Sequence, residues 1–320
     1  MKRRNGLYLL ALLLIAILIM GLCFGSASLS IKELLTKGLV RTIVFKLRLP
    51  RVLGALLSGM ALSVSGLILQ IITDNDLCSP NIIGVNSGAG LMVMVVLCFL
   101  GGNRFLLPIA SFLGAFLTTL LVIAISSSST AHSSRTAIVL TGVAISSLFS
   151  AFISLLSQLY PDVLPSYVYF QTGGFNGIYF KDLIIPSLII STGLFAVCLL
   201  KNQLEIMLLK DDIAISLGVD TRKTRILAMV IASALTAASV TYAGLLGFVG
   251  LLVPHMARKI FGSRMDVLIA ATALLGAILT IFADLLGRVL FAPSEISAGV
   301  LLAFIGAPFF IYLLFNRRNS

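Results

Sequence analysis

The chain has 320 residues, of which 59% are hydrophobic and 11% charged, and its mean hydropathy is +1.11. Soluble domains carry about 25% charged residues, so a soluble enzyme or binding module is excluded. The net charge of +11 belongs to loops and lipid headgroups rather than to a nucleic-acid footprint.

The apolar runs are long and continuous and lack the alternation of barrel strands, so the chain reads as an all-α polytopic membrane protein. Lys2, Arg3 and Arg4 precede an apolar run at 7–24. It is longer than a signal core and is followed by many more runs, so it reads as an uncleaved first span. A basic segment with Lys32, Lys37, Arg41, Lys46, Arg48 and Arg51 follows, closing on "LRLPR". Further spans are predicted at about 50–71, 84–100, 105–125, 136–158, 180–200, 225–243, 247–261, 265–286 and 296–315. As one helix, the uncharged stretch 226–257 would extend about 48 Å, far beyond one crossing. Its Gly244, Gly247, Gly250 and Pro254 favour a full span, a turn and a short second helix. Ten spans put both termini on one side. That side then holds 14 of the 23 Lys and Arg, and six of the other nine sit in the loop before span two. This loop is the one concentrated exception to the inside-positive bias.

Four polar segments interrupt the apolar pattern. In "TDNDLCSPNIIGVNSG", Pro80 breaks the helix and Asn81 or Asn86 is expected to cap the next. Gly84, Gly88 and Gly90 permit close helix contact. "SSSSTAHSSR", Ser126 to Arg135, is a flexible link or, against a pore mouth, a gate. In span five, Ser147, Ser150, Ser154 and Ser157 fall at i, i+3, i+7 and i+10 on one helix face. That face suits either hydroxyl-mediated packing or a polar pore wall. In "KDDIAISLGVDTRKTR", Asp211 and Asp212 suit a helix start, Gly218 a helix stop, and Asp220 or Thr221 the next cap. Two short helices joined by a glycine turn are expected there, forming a solvated connector or a docking knob.

Asp284 and Arg288 pair at i,i+4 near a span end, and intramembrane charge is also a functional hint. Cys23, Cys78, Cys98 and Cys198 are scattered and read as packing residues. With only His132 and His255 besides, no metal site is expected. No G-x-x-x-x-G-K-[ST] phosphate loop occurs, so any ATP must bind another polypeptide.

Several of these segments, in order, closely resemble the FecCD family of permeases, which serve ABC importers of iron–siderophore complexes, haem and cobalamin. They are "LRLPR" with "VLGALLSGMALSVSGLILQ", "NDLCSPNIIGVNSGAG", "SLGVDTRKTR", "GLLGFVGLLVPHMAR", "ADLLGR" and "IGAPFFIYLL". The resemblance implies a type II importer permease fold, a single transmembrane domain over 1–320 with cytoplasmic coupling helices at about 205–225. It implies a second permease subunit, identical or related, two cytoplasmic ATPase subunits and an extracytoplasmic substrate-binding protein. It places the chain in a bacterial plasma membrane with both termini cytoplasmic. No cofactor is implied in this chain, since ATP and Mg bind the ATPase.

Residue by residue, Arg48, Arg51 and Arg288 match arginines that receive carboxylates of the binding protein. Ala214, Leu217 and Gly218 match the ATPase-coupling motif, with Asp212 where Glu is usual. Ser147, Ser150, Ser154 and Ser157 lie on the pore-lining helix, and Ser128, Ser129 and Thr130 in the cytoplasmic gate. His255 and Arg258 match a signature near the ATPase side. The segment "YVYFQTGGFNG" lacks the tryptophan common in the family. The expected cargo is a ferric siderophore, with haem next and cobalamin third. An ion-coupled secondary transporter would want embedded carboxylates or unwound ion sites. An intramembrane enzyme would need a catalytic constellation, and none is visible.

Overall fold

The computed structural model describes residues 2–25, 43–128, 135–209 and 211–316. Among them the chain forms thirteen α-helices and no strand. They are α1 (Lys2–Cys23), α2 (Leu49–Thr73), α3 (Val85–Phe99), α4 (Leu106–Ser128), α5 (Arg135–Leu159), α6 (Leu164–Thr172) and α7 (Phe180–Leu199). After these come α8 (Lys201–Met207), α9 (Asp211–Ser216), α10 (Thr221–Ala243), α11 (Val249–Phe261), α12 (Met265–Val289) and α13 (Ala298–Asn316). Seven are long and apolar enough to cross a bilayer, α3 and α13 are shorter apolar helices, and α11 is the short partner of α10. Each predicted span therefore has its helix, while α6, α8 and α9 are connectors.

The centre of the bundle is α2, with 78% of its membrane-length window buried, against 17% for α1 and α5 and 22% for α7. The last three face lipid or another subunit. Neighbours grip α2 through small residues and hydroxyls, as membrane packing requires when apolar contact with lipid is equally good. Ser63 donates to the Thr272 carbonyl of α12 at 3.0 Å and Ser65 to the Ala232 carbonyl of α10 at 2.8 Å. Thr280 of α12 donates to the Ala55 carbonyl at 2.7 Å. Such bonds average about 0.6 kcal/mol each. Gly66 lets α11 cross at backbone contact, because a Cβ there would overlap the Gly250 carbonyl.

That crossing also fixes depth. Gly250, at the start of α11, lies against Leu62 and Gly66, so α11 begins roughly 10–16 Å short of the C-terminal end of α2. Gly84, which opens α3, lies beside Thr118 of α4 and Ser146 of α5, at a similar depth. Both short helices thus start inside the bundle. Between them is a crevice with room for about one water molecule, lined by Leu62, Ser79, Pro80, Asn81, Leu246, Phe248 and Gly250.

Several local expectations are corrected. The second span starts early: a π-helical turn, Val44–Arg48, runs directly into α2. Arg48 and Arg51 are therefore helical residues, not the end of a loop. The wide turn accommodates Pro50, whose ring would clash with a regular preceding turn. Pro254 does not break its helix. The break lies at 244–248, where Gly244 (φ 67°) and Phe248 (φ 64°) turn the chain. Neither Asn81 nor Asn86 caps α3; its N-cap is Gly84, at φ 91° with no side-chain cap bond. Only α9 of the two expected short helices ends at the glycine turn, and the next helix is the full span α10. Cys198 is exposed on α7 rather than packed, whereas Cys23 and Cys78 are buried.

Candidate functional site

Three arginines converge at the end of the bundle where α1 and α12 finish and α2 starts. Arg51 donates from Nε to both Asp284 oxygens, at 2.9 and 3.1 Å, and its Nη2 lies 2.8 Å from Oδ1. Its Nη1 donates to Glu295 Oε2 at 2.7 Å. Arg288 Nε lies 3.1 Å from Asp284 Oδ2, the predicted i,i+4 pair. Asp284 and Arg288 are 1% and 3% exposed, so this is a buried charge cluster, tolerable only because its members pair.

The same cluster finishes α1, whose last carbonyls have no helical partners. Arg48 Nη1 donates to the Leu22 and Cys23 carbonyls, both at 2.8 Å. Arg288 donates to Gly21 at 3.1 Å and to Phe24 at 3.2 Å. Two cations thus cap a helix C-terminus, where the dipole favours them. All three predicted arginines meet here. Of the three, Arg51 pairs with the partly exposed Glu295, while Arg48 and Arg288 are 8% and 3% exposed and donate to α1 carbonyls.

At the opposite end, α9 closes with the two bonds of a Schellman motif. Val219 N–H donates to Ala214 at 3.1 Å, and Gly218 N–H to Ile215 at 2.9 Å, with Gly218 at φ 82°. Asp220 caps α10 by accepting the Lys223 N–H at 3.0 Å. That bond, with the Lys223 ammonium, holds its carboxyl below the usual carboxylate range. Ala214 is fully buried, whereas Ile213, Ile215 and Leu217 are 46%, 59% and 58% exposed. The connector therefore presents an apolar surface between polar segments. Asp212 lies in the first turn of α9.

From 144 to 158 the serines divide the exposed surface of α5, whereas Leu140 and Val143, exposed and in line with them, make its first turns apolar. Ser147, Ser150 and Ser154 are exposed and Ser157 half-buried, with Ala144, Ala151 and Gln158 on the same sector. Leu148, Phe152, Leu155 and Leu159 form the adjoining exposed sector. Ser147, Ser154 and Ser157 donate to carbonyls four residues back, at 3.0, 3.0 and 2.8 Å. Their hydroxyls are thus satisfied within α5. Ser128 ends α4, while Ser129 and Thr130 lie outside the described residues.

Sequence reasoning missed Glu295 and a second polar junction. Gln70, the lone amide within span two, donates to the Gly250 and Leu251 carbonyls at 3.4 and 3.3 Å. Its Oε1 accepts from Arg258, which also pairs with Asp76 at 2.6 Å. The junction ties α2, the hinge after it and α11 together. A glutamine inside an apolar run was the available signal. His255 sits beside Phe309, ring edge to face with centroids 6.4 Å apart.

A model of the FecCD transport family matches residues 12–316. The chain belongs to the FecCD transport family. It is thus a multi-span permease of the ABC transporter class. Among relatives of this FecCD chain, the Bacillus subtilis Fe(3+)-citrate import system permease YfmE is 34% identical, covering 98% of this chain and 96% of its own. The Staphylococcus aureus protein IsdF, named for heme-iron transport, is 35% identical over 100% of this chain and 98% of its own. A solved chain described as a metal-chelate type ABC transporter, in an inward-facing conformation, superposes with TM-score 0.89 at 32% identity. That match covers 98% of this chain and 99% of the other.

Proposed function

We propose that this FecCD chain is the permease of an ATP-driven importer that carries an iron complex into the cytoplasm, a ferric siderophore first, haem next. What carries the reading is family membership joined to the exposed apolar surface of α9, which suits a motor subunit in the cytoplasm. Two ATPases bind there, through Ala214, Leu217, Gly218 and the Asp212 turn, and supply the ATP and Mg chemistry. A second permease, identical or related, packs against the small, polar sector of α5, so that Ser147, Ser150, Ser154 and Ser157 line the path. The Ser128–Thr130 segment closes that path on the cytoplasmic side, where both termini lie. An extracytoplasmic binding protein delivers the complex to the arginine end, where Arg51 meets its carboxylates.

An ion-coupled carrier is a poorer fit. The unwound backbone at 244–248 is the kind of element such carriers use. Here the carbonyls of Gly244, Gly247, Phe248 and Gly250 already accept protein hydrogen bonds. Asp284 is held by two arginines at the far end. The test is uptake of a radiolabelled ferric siderophore into proteoliposomes holding this chain, its ATPase and its binding protein. Uptake is expected only with ATP, and ATP-independent uptake by the purified chain would sink the proposal.

A further inference from the structure

We infer that the three arginines divide into two jobs: Arg51 is the exchangeable contact for an acidic partner, with Glu295 as its built-in placeholder, whereas Arg48 and Arg288 are fixed caps of α1. The exchange half rests on the docking role proposed above.

Exposure and bonding distinguish the two carboxylates on Arg51. The Asp284 side chain is 2% exposed, meets Arg51 through two nitrogens and also faces Arg288. Displacing it would strand two buried cations. Glu295 is 27% exposed, lies on the turn between α12 and α13, and touches Arg51 through Nη1 alone. Leaving Arg51 returns Glu295 to water and strands nothing. An incoming carboxylate that takes its place on Nη1 keeps the local charge unchanged. Glu295 therefore holds the guanidinium oriented while the site is empty, and it sets a threshold, because a partner must outcompete it.

Arg48 and Arg288 have no such freedom. Between them they serve the carbonyls of Gly21, Leu22, Cys23 and Phe24. Turning either outward would leave buried acceptors without donors. Cys23 reports this directly, since it is 4% exposed and its carbonyl is bonded to Arg48.

The test uses the assembled transporter in nanodiscs, with Cys78, Cys98 and Cys198 replaced by serine. Two quantities are read: the affinity of the binding protein at fixed salt, and the labelling rate of Cys23 by a membrane-impermeant maleimide. Glu295→Gln is expected to tighten docking several-fold and Arg51→Gln to weaken it, both leaving Cys23 protected. Arg48→Gln and Arg288→Gln are expected to leave docking unchanged and to speed Cys23 labelling by about tenfold through local opening. Arg48→Lys, which keeps the charge but loses the fork, gives an intermediate rate if the glutamine variant does not assemble.

Docking lost in Arg48→Gln or Arg288→Gln as much as in Arg51→Gln, with Cys23 still protected, overturns the division of roles. Unchanged docking in Glu295→Gln, alongside loss in Arg51→Gln, overturns the placeholder alone. If no variant alters docking, the proposed docking role of this end is wrong, and Cys23 labelling alone then judges the capping of α1.

Discussion

Asp284 is one carboxylate between two guanidiniums, and its removal leaves both Arg51 and Arg288 facing a buried gap. Breaking a buried pair from one side costs about 3–5 kcal/mol. Asp284→Ala is therefore expected to lower the thermal unfolding midpoint of the detergent-purified protein sharply. An unchanged midpoint would remove Asp284 from the cluster's foundation. The pairing was half legible. Arg288 sits one turn away and could be read from spacing, but Arg51 is 233 residues distant and Glu295 is 244 from Arg51. No local pattern encodes contacts of that range. Asp220 was legible because a cap is local. Its pKa is depressed, so its contribution is present above the ordinary carboxylate pKa and fades as the pH falls through the depressed value. Asp220→Ala should speed amide exchange across 211–224 at neutral pH, with variant and wild type converging in acid. A pH-independent difference would mean that the carboxylate's charge is not what caps α10.

Helices as elements followed their apolar runs closely, and the turn at 244–248 was foreseen from glycine content and length. What failed was the identity of the breakers. Pro254 stayed helical although its missing N–H takes the helical donor from the Gly250 carbonyl, because Gln70 donates to that carbonyl instead. Gly84 displaced Asn81 and Asn86 as the α3 cap because the chain needs a positive φ there to turn between α4 and α5. The Gly66–Gly250 crossing carries its own expectation. Gly66→Leu should abolish folded yield, seen as loss of the monodisperse peak on size exclusion, because a side chain would meet backbone rather than a movable neighbour. A normal peak would show that α2 and α11 can separate without cost.

For the whole molecule, the sequence signalled surfaces better than partners. The α5 serine spacing was visible, but its split into a small, polar sector and a large, apolar sector needed the bundle to show which side is covered. With native cysteines removed, Ser154→Cys in the assembled transporter should cross-link to a second permease through a short bis-maleimide. Leu155→Cys should not, and equal yields would place the interface elsewhere. Leu217, 58% exposed in the turn that closes α9, is the matching probe at the other end. Leu217→Arg should cut transport-coupled ATP hydrolysis at least tenfold by putting a charge into an apolar contact, and wild-type uptake would count against that surface.

The capping of α1 also bears on the order in which the protein is made. α1 leaves the ribosome ahead of the other helices described above, yet one of its two terminal caps, Arg288, lies 267 residues beyond Gly21 in the chain. Until α12 is synthesised and inserted, α1 has half its cap at most and little buried surface. A span made ahead of α2 to α12 is thus among the last to be secured. A chain truncated before α12 should keep α1 in the bilayer yet hand it to the quality-control machinery as unfinished.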